Sequence, residues 1–165
     1  MNIKLLQNTF SRPGIVEAIT VRSQRVSPVS VLDAVIAIRD KGLAGDHYQN
    51  NGGSRQVTLI QCEHLDVVAS LLGTDHISPE LVRRNIVVRG LNLLSLKGKQ
   101  FFVGPAILQY TGECHPCSRM ERVLGIGGYN AMRGHGGITA KIICGGLIKV
   151  GDAVNAVTAQ SSIQF

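Results

Sequence analysis

The stretch Gln100 to Tyr110, QFFVGPAILQY, decides the fold. Two short runs rich in aromatic and aliphatic residues, Phe101-Phe102-Val103 and Ile107 to Tyr110, flank Gly104-Pro105, and Gly and Pro side by side punctuate a turn. The pattern is strand, turn, strand. A fainter echo comes near the end, Leu147-Ile148-Lys149-Val150, Gly151-Asp152, then Ala153-Val154, and both are expected to be β-hairpin-like corners of one barrel or sandwich. Two echoes do not establish a repeat architecture.

Further strands are read outward from this corner. Gly14 to Arg22, GIVEAITVR, alternates apolar and polar residues as a half-buried strand does. Gln56 to Ile60, Ile86 to Val88 and Thr139 to Cys144 are short apolar runs of the same kind. Val29 to Ile38 is apolar enough for one or two strands, although VLDAVIAI equally suits the start of a short helix. Two helices are expected. Leu65, Val68, Ala69 and Leu72 share one helical face within Glu63 to Leu72, with Gly73 as a stop. Ser78 followed by Pro79 opens a second, which delivers Arg83, Arg84 and Asn85 to the head of the next strand. The expected fold is therefore mainly β, barrel-like, with a few short helices. The 165 residues suit one domain spanning 1–165.

Chemistry gathers immediately behind the deciding stretch, in Thr111 to Asn130, TGECHPCSRMERVLGIGGYN. If Pro116 sits in the first turn of a helix running through Arg119 and Leu124, Cys117 lies at its positive end with Arg119 and Arg122 nearby. Such surroundings favour the thiolate, the form that attacks electrophiles, carries sulfur or binds a soft metal. Cys117 is the first candidate for a working residue. Cys114-His115-Pro116-Cys117 also reads as CxxC. A structural zinc site wants a second ligand pair, which Cys144, His135 and His47 do not supply at the right spacing. A thioredoxin-like dithiol wants a βαβ setting that this pattern lacks. Cys114 remains open between a resolving thiol and a small residue at a strand end; Cys62 reads as packing and His64 as a surface residue.

Two polar, glycine-bearing loops complete the candidates. Lys41 to Arg55, KGLAGDHYQNNGGSR, can present Asp46, His47 and Arg55 to a ligand, or serve only as a solvated connection. Gly125 to Ile138, GIGGYNAMRGHGGI, offers Arg133 and His135 with glycines that permit close approach to an anionic or pterin-like ligand. Neither a dinucleotide fingerprint nor a P-loop is present.

The net charge of +6, with a pI near 9.5, favours an anionic partner. The basic residues are scattered beside turns, which suits a phosphate-bearing small molecule; no basic stripe interleaved with aromatics points to nucleic acid. No apolar run is long enough to span a bilayer, so no membrane role is expected. The amino terminus lacks the pattern of a signal peptide, and four cysteines then suggest free thiols in a reducing cytoplasm.

These segments together, GIVEAITVR, GLAGDH with RQVTLI, RRNIVV with GLNL, FFVGPAIL, TGECHPCSRME, and GHGGITAKI with IKVGDAV, closely resemble the MOSC domain. That domain is the C-terminal module of molybdenum cofactor sulfurases, and also occurs as small stand-alone bacterial proteins and within the mitochondrial amidoxime-reducing component. The resemblance covers nearly the whole chain and rests on the order and spacing of the pieces. It implies a strongly bent barrel-like β fold and a role in handling the molybdenum cofactor (molybdopterin), a pterin dithiolene with a terminal phosphate. It implies Cys117 as persulfide carrier or as the protein ligand to molybdenum. Arg83 and Asn85 match a step that lies against the pterin in cofactor-bearing relatives, and the GLAGDH and RQVTL segments, with Asp46, His47, Arg55 and Thr58, would approach the same pocket. Arg119, Arg133 and His135 are the further candidates to bind the cofactor.

The long members carry a pyridoxal-phosphate desulfurase domain or an appended iron–sulfur or flavin module, neither of which is in this sequence. A separate electron donor, or a sulfur donor or acceptor protein, is therefore expected as partner. Three readings follow: a reductase of N-hydroxylated compounds with molybdenum on Cys117, a carrier of sulfur or of intact cofactor, and a barrel that has lost the cofactor.

Overall fold

The computed structural model describes residues 1–48 and 50–158. Gln49, within the polar loop singled out above, lies outside the described residues.

Among the described residues the chain forms eleven strands, five short α-helices and one 3-10 helix, in the order α1 (Ile3–Leu6), β1 (Gly14–Val21), β2 (Ser30–Leu32), β3 (Ala34–Ile38), β4 (Gly42–Leu43), β5 (Val57–Gln61), α2 (Cys62–Leu72), α3 (Pro79–Val82), β6 (Ile86–Arg89), the 3-10 helix (Leu93–Leu96), β7 (Gln100–Val103), β8 (Ala106–Glu113), α4 (Ser118–Leu124), α5 (Gly128–Met132), β9 (Ile138–Cys144), β10 (Gly146–Lys149) and β11 (Ala153–Ala156). The main sheet runs β11-β7-β8-β9-β5-β6-β1-β2, and β11 also pairs with β1. That last pairing, Gly14 opposite Val154 and Ile15 opposite Ala153, closes seven strands into a barrel. A closed barrel leaves no open edge within the ring, which removes the usual template for aggregation.

All pairings in the ring are antiparallel except β5 with β6. Parallel neighbours need a long crossover, and α2 and α3 supply it. They also explain why β5 and β6 are apolar on both faces. Leu59, Ile86 and Val88 point into the barrel core, whereas Ile60 and Val87 point outward against Leu65, Val68, Met120 and Met132. The period-two alternation of strand side chains is here spent on two cores instead of core and water.

Most elements lie where the sequence places them. The helix at Cys62–Leu72 ends at Gly73, whose φ of 69° is the left-handed stop expected of that glycine. Val29 to Ile38 resolves into β2 and β3 rather than a helix. The hairpin expected at Gln100 to Tyr110 is β7 and β8. Its echo near the end is not a hairpin: β10 pairs with β3 in a separate three-stranded sheet, and β11 joins the barrel. Gly151-Asp152 is therefore a corner between two sheets. Among the described residues no helix is long and apolar enough to cross a membrane.

Candidate functional site

The chain leaves the barrel at the end of β8 through Cys114, whose N–H donates to Gly137 O at 2.8 Å. It crosses His115 and Pro116 before entering α4 at Ser118. Cys117 is the residue that caps this helix, in extended backbone conformation, with its side chain making no cap bond and exposed to solvent. Pro116 thus lies before the helix and not in its first turn. The helix starts two residues later than a proline at its first position would place it, and the charges around Cys117 come chiefly from side chains.

Those side chains line a cleft of about 600 Å³, with Cys117 among its walls. Seven arginines contribute to it, Arg22, Arg25, Arg55, Arg83, Arg84, Arg119 and Arg122, against one carboxylate, Asp46. Among the described residues none of the seven forms an ion pair. Asp46 is already committed: its Oδ1 accepts from Arg22 N at 2.9 Å, and Oδ2 lies 3.4 Å from His47 Nδ1.

Two guanidiniums converge on a single carbonyl. Arg22 Nη1 and Arg83 Nη2 each donate to Arg25 O at 2.8 Å. Arg83 stands at the end of α3 with φ 59°, a left-handed conformation that costs an L residue about 1–2 kcal/mol. Its Nε is buried without a hydrogen-bond partner. Burial first, and then repulsion from Arg119, pushes Arg83 below the usual guanidinium value, while the Cys117 thiol opposes the shift. Arg22 is lowered in the same way, by burial and then by Arg83, with Asp46 opposing. Among the described residues these cations far outnumber the one carboxylate beside them, an excess of positive charge that favours an anion in the cleft.

The floor is neutral and rigid. Asn85 Oδ1 accepts from Thr58 N at 3.0 Å and from Thr58 Oγ1 at 3.1 Å, and its amide donates to Thr20 O at 3.2 Å. One amide N–H remains uncommitted by this count. Arg84 is buried beneath, donating Nε to Gly136 O and Nη1 to Val82 O, both at 2.8 Å, and Nη2 to Cys114 O at 3.5 Å. Cys114 is itself buried, with Arg55 Nη2 at 3.7 Å from its Sγ.

Of the residues expected to line a site, Asp46, His47, Arg55, Thr58, Arg83, Asn85, Cys117 and Arg119 come together here. Arg133 and His135 do not. Arg133 is exposed at the end of α5, and His135 Nδ1 donates to Ala131 O at 2.9 Å while its ring lies edge-on to His64, with centroids 5.1 Å apart. The reason is packing: Ala131 and Met132 bury against α2, which carries the following residues to the outer side of the barrel. His64 is accordingly half-buried rather than a surface residue.

Two glycines of that loop pack against the barrel itself. A Cβ at Gly136 would overlap Cys114 O, and one at Gly137 would overlap Leu59 O. Gly136 and Gly137 permit close approach of the loop to the protein's own strands.

Sequence reasoning passed over Arg22 and Arg25 as functional groups. Arg22 enters the cleft because Thr20 N donates to Asn85 O at 2.7 Å and Thr20 Oγ1 donates to Arg84 O at 2.6 Å, locking the end of β1 to the Arg83–Asn85 step. Nothing local to SQR signals that pairing.

A family model for the MOSC domain matches residues 44–155. No curated protein sequence is significantly similar to the chain. Among solved structures, the YuaD protein of Bacillus subtilis is similar with a TM-score of 0.76 at 20% identity, over 88% of this chain and 96% of that one. YiiM of Geobacillus stearothermophilus is similar with a TM-score of 0.71 at 16% identity, over 88% and 76% respectively. YiiM of Escherichia coli gives 0.66 at 18% identity, over 87% and 70%.

Proposed function

The chain belongs to the MOSC domain family, and from that premise we propose that its arginine-lined cleft binds the molybdenum cofactor, with Cys117 as protein ligand to molybdenum, in reducing N-hydroxylated compounds. The observation that supports this most directly is an exposed thiol and unpaired guanidiniums lining one cleft. A thiolate is a soft donor suited to molybdenum, and guanidinium forks suit the cofactor's phosphate. When bound, the cofactor supplies the redox chemistry of a metal that removes oxygen from the substrate.

The chain's own residues have separate tasks in this reading. Arg22, Arg83 and Arg119 hold the phosphate, and the free amide N–H of Asn85 addresses the pterin edge. Thr58 keeps Asn85 in place through the bonds to Oδ1. His47, with Nδ1 beside Asp46, retains Nε2 to carry a proton to a departing hydroxyl. Electrons arrive from a separate redox protein, and the free thiols suit a reducing cytoplasm. The second reading, a carrier of sulfur or of cofactor for molybdoenzymes, is favoured by the exposure of Cys117, which a partner's reactive group can reach.

The test is the molybdenum and pterin content of the protein made in a cofactor-producing host, beside its Cys117→Ala variant. Near-stoichiometric metal in the wild type that disappears in the variant is the expected result. Equal and negligible metal in both proteins sinks the assignment.

A further inference from the structure

The cleft that holds Cys117 is lined by seven arginines and, among the described residues, one carboxylate. Arg22 and Arg83 meet on the carbonyl of Arg25, Arg119 lines the same cleft, and among the described residues the one carboxylate lining it, Asp46, accepts from Arg22 N and lies 3.4 Å from His47 Nδ1. Arg83 Nε is buried and unpartnered. A small dianion entering this space meets guanidiniums that the Arg25 carbonyl already orients, which cost little to reorganise. It also arrives within the same walls as Cys117 Sγ.

We propose that Cys117, when no metal is bound to it, accepts sulfur from small dianionic sulfane donors of the thiosulfate class, the arginines binding the oxyanion and stabilising it as it leaves. This rests on the reading of Cys117 as the working thiol of the cleft and extends it to a donor that needs no desulfurase. The Cys117 thiolate attacks the outer sulfur of thiosulfate and forms a new S–S bond to it. The bond between that sulfur and the sulfonate sulfur breaks, and its electron pair departs on sulfite. Thiolate and thiosulfate thus become persulfide and sulfite, with charge conserved and no external oxidant or reductant. An acceptor nucleophile such as cyanide then takes the outer sulfur as thiocyanate and restores the thiolate. The chemistry selects against neutral donors, whose leaving groups gain little from guanidiniums, and favours those whose product is an oxyanion.

The experiment uses the full chain made in a host unable to assemble the cofactor. Incubation with thiosulfate is expected to add one sulfur, about 32 Da, to the peptide containing Cys117, removable by cyanide. Thiocyanate should form catalytically from thiosulfate and cyanide. Arg83→Gln and Arg22→Gln should each raise the thiosulfate KM about tenfold, as expected for loss of a charge-assisted contact, with a smaller effect on kcat. Cys117→Ser should abolish both adduct and turnover, whereas Cys144→Ser, at an exposed thiol outside the cleft, should retain them. Circular dichroism confirms that each variant is folded. A folded wild type that acquires no sulfur on Cys117 overturns the proposal, as does an adduct confined to Cys144 or a KM unmoved by both arginine variants. Molybdenum content is measured separately, so metal binding without sulfur uptake refutes this inference while leaving the cofactor reading intact, and sulfur uptake without metal does the reverse.

Discussion

Arg84 carries its charge into the protein with no carboxylate among the described residues to meet it, and three backbone carbonyls from three segments take its N–H groups. Only a planar fork can reach in those directions at once. Arg84→Lys keeps the charge but loses most of these bonds, and is expected to cost about 2–4 kcal/mol in urea denaturation at neutral pH. Asn85 is a second such residue. Asn85→Ala strands the Thr58 N–H and should cost about 1–3 kcal/mol. His64 gives a pH signature. Burial, then the neighbouring His135, lower its pKa in the folded state, so the unfolded chain binds the proton more readily. Its neutral form supports stability fully above the ordinary histidine value. That contribution falls as pH drops from about 6.5 towards the lower folded value. His64→Gln should flatten this part of the stability profile, as measured by denaturant midpoints across the pH range.

Among elements, the turn from α5 into β9 is the most constrained. Gly137 has φ 88° and sits against the carbonyl of Leu59, so Gly137→Ala combines a disfavoured backbone with a clash against another strand. A loss of at least about 1–3 kcal/mol is expected, read as a fall in thermal midpoint, together with displacement of Cys114, whose N–H bonds to Gly137 O. The corner between α4 and α5 is held differently, by Glu121 accepting from Gly127 N at 2.8 Å and Tyr129 N at 2.9 Å. These two bonds, Tyr129 first, lower the Glu121 pKa. The corner is therefore tight above the ordinary carboxylate value and loosens as pH falls through the lower folded one. Hydrogen exchange of the Gly127 and Tyr129 amides should accelerate in Glu121→Gln at neutral pH, and an unchanged rate would remove the role given to this carboxylate.

For the whole molecule, the barrel brings together cations from four regions of the chain that the linear sequence keeps apart. Their field is unbalanced and partly open to solvent, so salt should screen it. Thiosulfate KM, or retention of a phosphate-bearing ligand, should weaken steadily between about 0.05 M and about 0.5 M salt, whereas a site governed by apolar burial would tighten or stay constant. Closure of the ring depends on few pairs between β1 and β11, Gly14 with Val154 and Ile15 with Ala153. These pairs connect the two ends of the described chain, a contact that no local pattern encodes.

By itself the sequence determined the strands that alternate or run apolar between glycines and the helix ending at Gly73, and it singled out the segment holding Cys117, which lines the arginine-rich cleft. Each follows from forces acting within a few residues: side-chain alternation, left-handed glycine, and the chemistry of a thiol among arginines. Tertiary structure alone decided that β10 and β11 part into different sheets, that His135 turns towards His64, and that Arg22 joins Arg83 at one carbonyl. Those outcomes depend on pairing between distant strands and on which face of α5 buries. Such contacts are selected by the closing of the barrel and its two cores, and the residues involved carry no mark of them in their own neighbourhood.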